Sequence, residues 1–324
     1  CIVDDESNVL VIIERIFAML REPFNIMDTE LVTRARVGIS FYPDDGLHFD
    51  DHLRHVDMAL QNAKTSNLDY CFYDADLGNR IRFKATVSKK LERAIREQQA
   101  IEVFLQPKID LRSNKCIGAE ALARWHDADF GWISPEVFIA IAEERGRMDA
   151  LTHLIVQRSA TALNSLISHF PDLLSRQHFQ LALNISAKNL EQDSFATSIL
   201  GIVRGYQLQP SYFQLELTET GLMQDPAKAI ETLHTLQNMG FSLAIDDFGT
   251  GHSSLTYLKD INADLLKIDM SFVREMLKSN ASRAIVETVI STAHIFHMQT
   301  LAEGIENAET AEALLHSGCQ QGQG

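Results

Sequence analysis

The chain has 324 residues, with 44 acidic against 29 basic side chains, a formal charge of −15, and 45% hydrophobic residues. This is the composition of a soluble globular protein with a large core, and the length predicts two domains, one of them barrel-sized. The acidic balance excludes polymeric nucleic acid and an anionic membrane as main partners, since both reward basic patches, but it admits a small anion if cations offset the carboxylates around it.

Residues 1–19 read as a helix after the DDES turn, with Val9, Ile12, Ile13, Ile16 and Phe17 at helical spacing. Residues 33–42 alternate as a strand and end in the turn Pro43-Asp44-Asp45-Gly46. A helix is predicted over 49–64, a strand over 70–73, and a charged helical connector over 78–100. The domains are therefore placed at 1–77 and 101–324. From residue 101 the pattern becomes regular. Apolar runs at 101–105, 116–124, 179–185, 212–217, 241–246, 264–268 and 298–303 are mostly separated by amphipathic segments at 135–145, 148–169, 189–204, 225–239 and 281–297. Strand alternating with helix means βα units and a largely parallel sheet. Seven strands come close to the eight of a (β/α)₈ barrel, and the eighth is expected to begin after Gly324. Both ends are expected to be cut from a longer chain. No run of about 18 apolar residues occurs, so no membrane span is predicted. The cysteines Cys1, Cys71, Cys116 and Cys319 have no CxxC pair, the usage of reduced thiols in a cytoplasmic setting.

Most of the later runs carry a polar residue near their C-terminal end: Asn184, Glu216, the pair Asp246-Asp247, Lys267 with Asp269, and Glu303, while Glu120 lies inside the second run. In a parallel barrel those ends meet at one face, where barrel enzymes keep their active sites. One such carboxylate is most simply a helix cap or a solvated loop group. So many together are harder to explain that way, and crowded carboxylates repel unless cations bind between them. Oxygen donors suit hard ions such as Mg²⁺ or Mn²⁺. An adjacent Asp pair can serve two ions, the arrangement that stabilises attacking and leaving oxygens in phosphodiester hydrolysis. The plain alternative for Lys267 is an ion pair with Asp269 or Asp264.

Other motifs fail. Gly249-Thr250-Gly251 lacks the full GxGxxG, and Asp247-Phe248-Gly249 has no kinase partners. His48, His52 and His55 read as a solvated helix face. His126-Asp127 lacks the other ligands of a metal phosphohydrolase, and Ser253-Ser254 lies in no GxSxG elbow.

Glu120-Ala121-Leu122-Ala123-Arg124-Trp125, preceded by Gln106-Pro107, resembles the signature of EAL-domain cyclic-di-GMP phosphodiesterases. The later blocks follow in order: Asn184-Ile185-Ser186, Glu216-Leu217-Thr218-Glu219, Asp246-Asp247-Phe248-Gly249-Thr250-Gly251, Lys267-Ile268-Asp269, Ala302-Glu303-Gly304-Ile305-Glu306 and Gln323-Gly324. The resemblance covers about 85–324. It implies a modified TIM barrel with one antiparallel strand, hydrolysing cyclic-di-GMP to linear pGpG with two divalent cations, Mg²⁺ or Mn²⁺. It further implies Glu120, Asn184, Glu216 and Asp246 as ligands of one ion, Asp246 bridging to a second ion held with Asp247, and Glu303 as ligand or general base. Lys267 then orients the attacking water, and Arg124, Gln106 and Gln323 contact substrate. Glu219, which holds the DDFGTG loop, supports the site with Asp269 and Glu306. His252 departs from the aromatic residue common there. A homodimer through the barrel is expected on the same ground. The competing readings are a receptor that binds cyclic-di-GMP without cutting it, and a protein whose front domain is a regulatory platform.

The front segment is similar to the C-terminal half of a GGDEF domain, on Leu20-Arg21-Glu22-Pro23-Phe24, Val37-Gly38-Ile39-Ser40-Phe41-Tyr42-Pro43, Val56-Asp57-Met58-Ala59-Leu60 and Ala63-Lys64. Past Lys64 the family's Gly and Arg are replaced by Thr65-Ser66-Asn67-Leu68-Asp69, which removes a phosphate partner. The partial α+β front domain is therefore expected to be degenerate, in a cytoplasmic protein whose full-length form an upstream segment could anchor to a membrane.

Overall fold

The computed structural model describes residues 6–21, 24–26, 29–31, 35–66, 68–173, 179–222, 225–249 and 255–324. Expectations for Cys1, Glu22, Pro23, Asn67, Thr250, Gly251, His252, Ser253 and Ser254 fall outside them. The chain divides into two compact units, residues 1–89 and 90–324.

The first unit holds the helix Glu6–Arg21, a hairpin of β1 (Phe24–Ile26) and β2 (Thr29–Leu31), and the parallel pair β3 (Val37–Ile39) and β4 (Tyr70–Phe72) joined by the helix Phe49–Thr65. That helix seats its buried Ala59 and Ala63 with the strands. Gly38 lets it come close, because a Cβ there would lie 2.2 Å from the Val56 carbonyl oxygen. His52 and His55 donate to the carbonyls of Gly46 and Asp45 at 2.8 and 2.6 Å, and His55 stacks on Tyr73. These histidines secure a turn rather than forming a solvated face. The hairpin has no counterpart among the predicted elements. The helix Ala75–Glu97 then crosses the division at 89/90.

The second unit is a closed barrel of β5 (Ile101–Asp110), β6 (Lys115–Asp127), β8 (Gln180–Asn184), β9 (Phe213–Thr218), β10 (Ser242–Phe248), β11 (Leu265–Ile268), β12 (Gln299–Glu303) and β13 (Gln321–Gln323), with β7 (Gly131–Ile133) attached to β6. All seven predicted strands are present. Strand β5 runs antiparallel to both its neighbours, and the remaining barrel pairs are parallel. The expectation that the eighth strand lies beyond Gly324 is corrected. Gln321–Gln323 pairs with β12 on one side and with Ile109 and Asp110 of β5 on the other, so neither neighbour is left with an open edge there. Three residues suffice because the antiparallel β5 comes round to meet them.

Helices form where caps and apolar stripes agree. Asp225, Ser279 and Asn307 accept hydrogen bonds from the backbone N–H three residues on, opening the helices Pro226–Asn238, Asn280–Ile295 and Ala308–His316. Their inner faces, among them Leu233, Leu236, Val286, Val289 and Leu314, pack with the outward side chains of the strands, such as Leu183, Leu215, Leu243 and Ile268, in one continuous apolar layer. Inside the barrel Ala244, Leu265 and Leu301 form a small apolar cluster among the described residues. Apart from Ala182, Leu122 and Phe104, which share the inward face, the remaining described lumen side chains are mostly polar.

Candidate active site

Side chains two residues apart on a strand face the same way. Phe104, Gln106 and Lys108 of β5, Glu120 and Arg124 of β6, Asn184 of β8, Gln214 and Glu216 of β9, Asp246 of β10, Lys267 of β11, Glu303 of β12 and Gln323 of β13 all share the lumen side. Lys267 is 1% exposed and its ammonium lies 2.7 Å from each of Glu216 Oε2, Asp246 Oδ2 and Glu303 Oε1, and 3.5 Å from Glu120 Oε2. Asn184 Nδ2 and Gln323 Nε2 each donate to a different oxygen of Glu120 at 2.7 Å, and Gln323 also donates to Gln106 Oε1 at 3.1 Å. Residues from all eight barrel strands thus converge in one hydrogen-bonded cluster. Lys267 pairs with neither Asp269 nor Asp264: Asp269 caps the helix Met270–Glu275, and Asp264 accepts from Ser242 and the Leu243 N–H.

Asp247 reaches the same cluster by a break in the strand. The register shifts between Ile245 and Phe248, and Asp247 adopts a left-handed backbone with φ 54°. On a regular strand its carboxylate would face away from that of Asp246. Here carboxylate oxygens of Asp246, Asp247 and Glu303 lie within 4.8 Å of one another, close enough to share a metal ion. Glu219 accepts from the Gly249 N–H at 3.2 Å and so holds the chain just past this break. Glu306 sits on the surface instead, paired with Arg274 at 2.9 Å. Arg124 donates to the Ala123 carbonyl at 3.0 Å, with its guanidinium 6.0 Å from the centre of the Phe104 ring.

The sequence reading missed Lys108. Its buried ammonium contacts Glu216 Oε1 at 2.5 Å and Gln214 Oε1 at 2.9 Å, so each oxygen of Glu216 has its own lysine. The available signal was the alternation Phe104, Gln106, Lys108, which places the lysine on the face of Gln106.

The electrostatics follow. Burial alone would push the Glu216 carboxyl up, but Lys108 and Lys267 outweigh it and hold it below its ordinary value. For Lys267 burial acts against the ammonium, and Glu216, Asp246, Glu120 and Glu303 together raise it well above the ordinary lysine value. It is therefore a firm hydrogen-bond donor, not a base. Asp246 is pushed up to about 7 by burial, reinforced by the Glu216 and Glu303 charges against the pull of Lys267. Glu303 is raised mainly by burial, and Asp247 by burial and the neighbouring Asp269 charge. Five carboxylates face two ammonium groups, so the site carries excess negative charge. With the buried and unpartnered Gln323 Oε1 beside Glu120, this all-oxygen donor set fits hard divalent cations.

The sequence profile described as "EAL domain" matches residues 88–324, and one described as "Diguanylate cyclase, GGDEF domain" matches residues 2–69. The cyclic di-GMP phosphodiesterase NbdA of Pseudomonas aeruginosa is 31% identical over 322 residues, which is 99% of this chain but 40% of that protein. Among solved structures, the EAL enzyme Bd1971 in its cGMP-bound form superposes with a TM-score of 0.69 at 31% identity, covering 76% of this chain and 67% of that one. The PaMucR phosphodiesterase in complex with c-di-GMP gives 0.67 at 30% identity, covering 73% and 94%.

Proposed function

This chain belongs to the EAL domain family, and from that premise we propose that it hydrolyses cyclic-di-GMP to linear pGpG with two divalent cations, Mg²⁺ or Mn²⁺. The observation that carries the reading is the excess of buried carboxylates around Lys267 at the mouth of the barrel. Relatives named cyclic di-GMP phosphodiesterases support the substrate.

In this reading Glu120, Asn184, Glu216 and Asp246 hold one cation, and Asp246 with Asp247 holds the second. Bound there, such ions polarise the phosphodiester and make water a competent nucleophile near neutral pH. Lys267 donates hydrogen bonds that fix the carboxylates and orient the attacking water. Glu303, made more basic by burial, takes the proton. The planar guanidinium of Arg124 grips a phosphate, and Gln106 and Gln323 contact the ligand from the β5–β13 side. Glu219 and Asp269 support the site from outside the cluster, whereas Glu306 takes no part in it. Among the described residues no helix is long and apolar enough to cross a membrane. We further propose a cytoplasmic barrel that forms homodimers, with the front unit as a regulatory platform.

Incubating the purified chain with cyclic-di-GMP and Mg²⁺ or Mn²⁺ tests this directly. Formation of pGpG that stops on chelation supports the enzyme. Tight binding without product would replace it with the receptor reading.

A further inference from the structure

Above the carboxylate cluster the lumen-facing side of β5, β6 and β7 continues as a small sheet. His126 of β6 and Trp132 of β7 are register partners, and their rings meet edge to face with centroids 5.0 Å apart. Trp132 also meets Phe104 edge to face at 5.9 Å, and Phe104 lies under the Arg124 guanidinium. These aromatics are not core residues. Trp132 is 61% exposed and Phe104 48%, whereas Trp125, on the opposite face of the same sheet, is 1% exposed against Phe138. Two large open rings sit beside a cation, on the face that carries Glu120, and Arg124 stands four residues along the strand from Glu120, about 13 Å by strand rise.

We propose that the exposed ring of Trp132, which Phe104 meets edge to face, is a stacking platform for one purine base of the dinucleotide whose phosphate Arg124 holds. The inference rests on the functional reading above and adds a base-contacting surface to it. Flat exposed rings bind bases through their π faces, and an adjacent guanidinium favours a ligand that carries an aromatic ring and an anion together. That pairing selects a nucleotide over a protein segment. The distance suits the base, which lies to the side of the scissile phosphate, and leaves the carboxylates for the reacting atoms. The platform therefore contributes to binding the substrate and not to breaking the bond.

Steady-state kinetics of Trp132→Ala and Trp132→Phe with cyclic-di-GMP and saturating Mg²⁺ test this, together with iodide quenching of the wild-type emission. Removing the ring should raise KM roughly tenfold, the size of one base–aromatic stack, while kcat moves less than about threefold, because a contact made equally in ground and transition states is lost. Trp132→Phe should recover most of the affinity. Iodide should quench the exposed Trp132, and cyclic-di-GMP added in a chelating buffer should protect it; Trp125 is buried and contributes little to either signal. An unchanged KM in Trp132→Ala overturns the platform, as does a loss confined to kcat. If the wild-type chain turns over cyclic-di-GMP while iodide quenching of Trp132 is unaltered by ligand, the platform falls and the phosphodiesterase reading stands. If the wild type neither binds nor hydrolyses cyclic-di-GMP, both fall.

Discussion

The two sides of the barrel wall are built from opposite materials. Outward, strand residues such as Phe213, Leu215 and Leu266 join the helices in an extensive apolar layer. Inward, where barrels of this kind ordinarily stack branched apolar side chains, the apolar cluster is the small group Ala244, Leu265 and Leu301, and Lys108 and Lys267 with their carboxylate and amide partners occupy the centre. The difference separates two tasks. Removing apolar area from water drives folding on the outside. A buried ionic network adds little net stability, because desolvation offsets most of its attraction. The lumen is thus committed to chemistry, and the outer layer carries the fold.

The comparison can be broken from the inside first. Glu120→Ala or Asp246→Ala should reduce turnover to background while the circular dichroism spectrum is retained, since each change relieves an excess of negative charge. Near-normal Mg²⁺-dependent rates in either variant would refute the metal-site assignment. The outside should respond in the reverse way. Phe213→Ala, a truncation in the apolar layer, should cost about 3–5 kcal/mol of stability, read from the denaturant midpoint, with kcat per folded molecule unchanged. A smaller effect is expected at Lys108. Lys108→Met strips one counter-ion from the buried Glu216 and should cost about 3 kcal/mol in metal-free protein. Saturating Mg²⁺ should then raise the melting temperature more in the variant than in wild type, because the site has become more negative. Equal increments would mean that Lys108 does not influence the cation site.

The smallest effect is a pH slope. Asp246 titrates near 7 when folded, well above an unfolded aspartate. The folded protein therefore holds a proton between about pH 4 and 7 that the unfolded chain has released, and stability falls as pH rises through that window. Raised Glu303 and Asp247 act in the same direction. Glu216 is lowered, so its contribution is present above its unfolded value and is lost only at more acid pH. Metal-free protein should melt at a higher temperature at pH 5.5 than at pH 7.5, and Asp246→Asn should reduce the difference. An identical slope in that variant would place the effect elsewhere.

The barrel was largely legible because its strands carry apolar outward faces, and those produced the seven runs from Ile101 to Glu303. Strand β13 was not, since Gln321–Gln323 contains no apolar residue and is recognisable only from its partners on either side. The helix Ala308–His316 was also missed, and the short β7, which now presents Trp132, left no alternation long enough to read. The site carboxylates stood out through their place at strand ends. Lys108 did not, because the polar face of an alternating strand normally meets water, and only barrel closure turns that face inward.

The irregular backbone at Asp247 limits which residues can follow Asp246. A left-handed conformation is comfortable for Gly, Asn and Asp and strained for β-branched or bulky side chains. Alanine scanning at this position would therefore mix two effects, the lost carboxylate and a strained backbone, whereas Asp247→Asn isolates the charge. The same restriction shapes the lineage's options. Asparagine and glycine codons each lie one nucleotide change from an aspartate codon. A descendant could thus discard this carboxylate in a single genetic step while keeping the turn, and with it the geometry of the pocket.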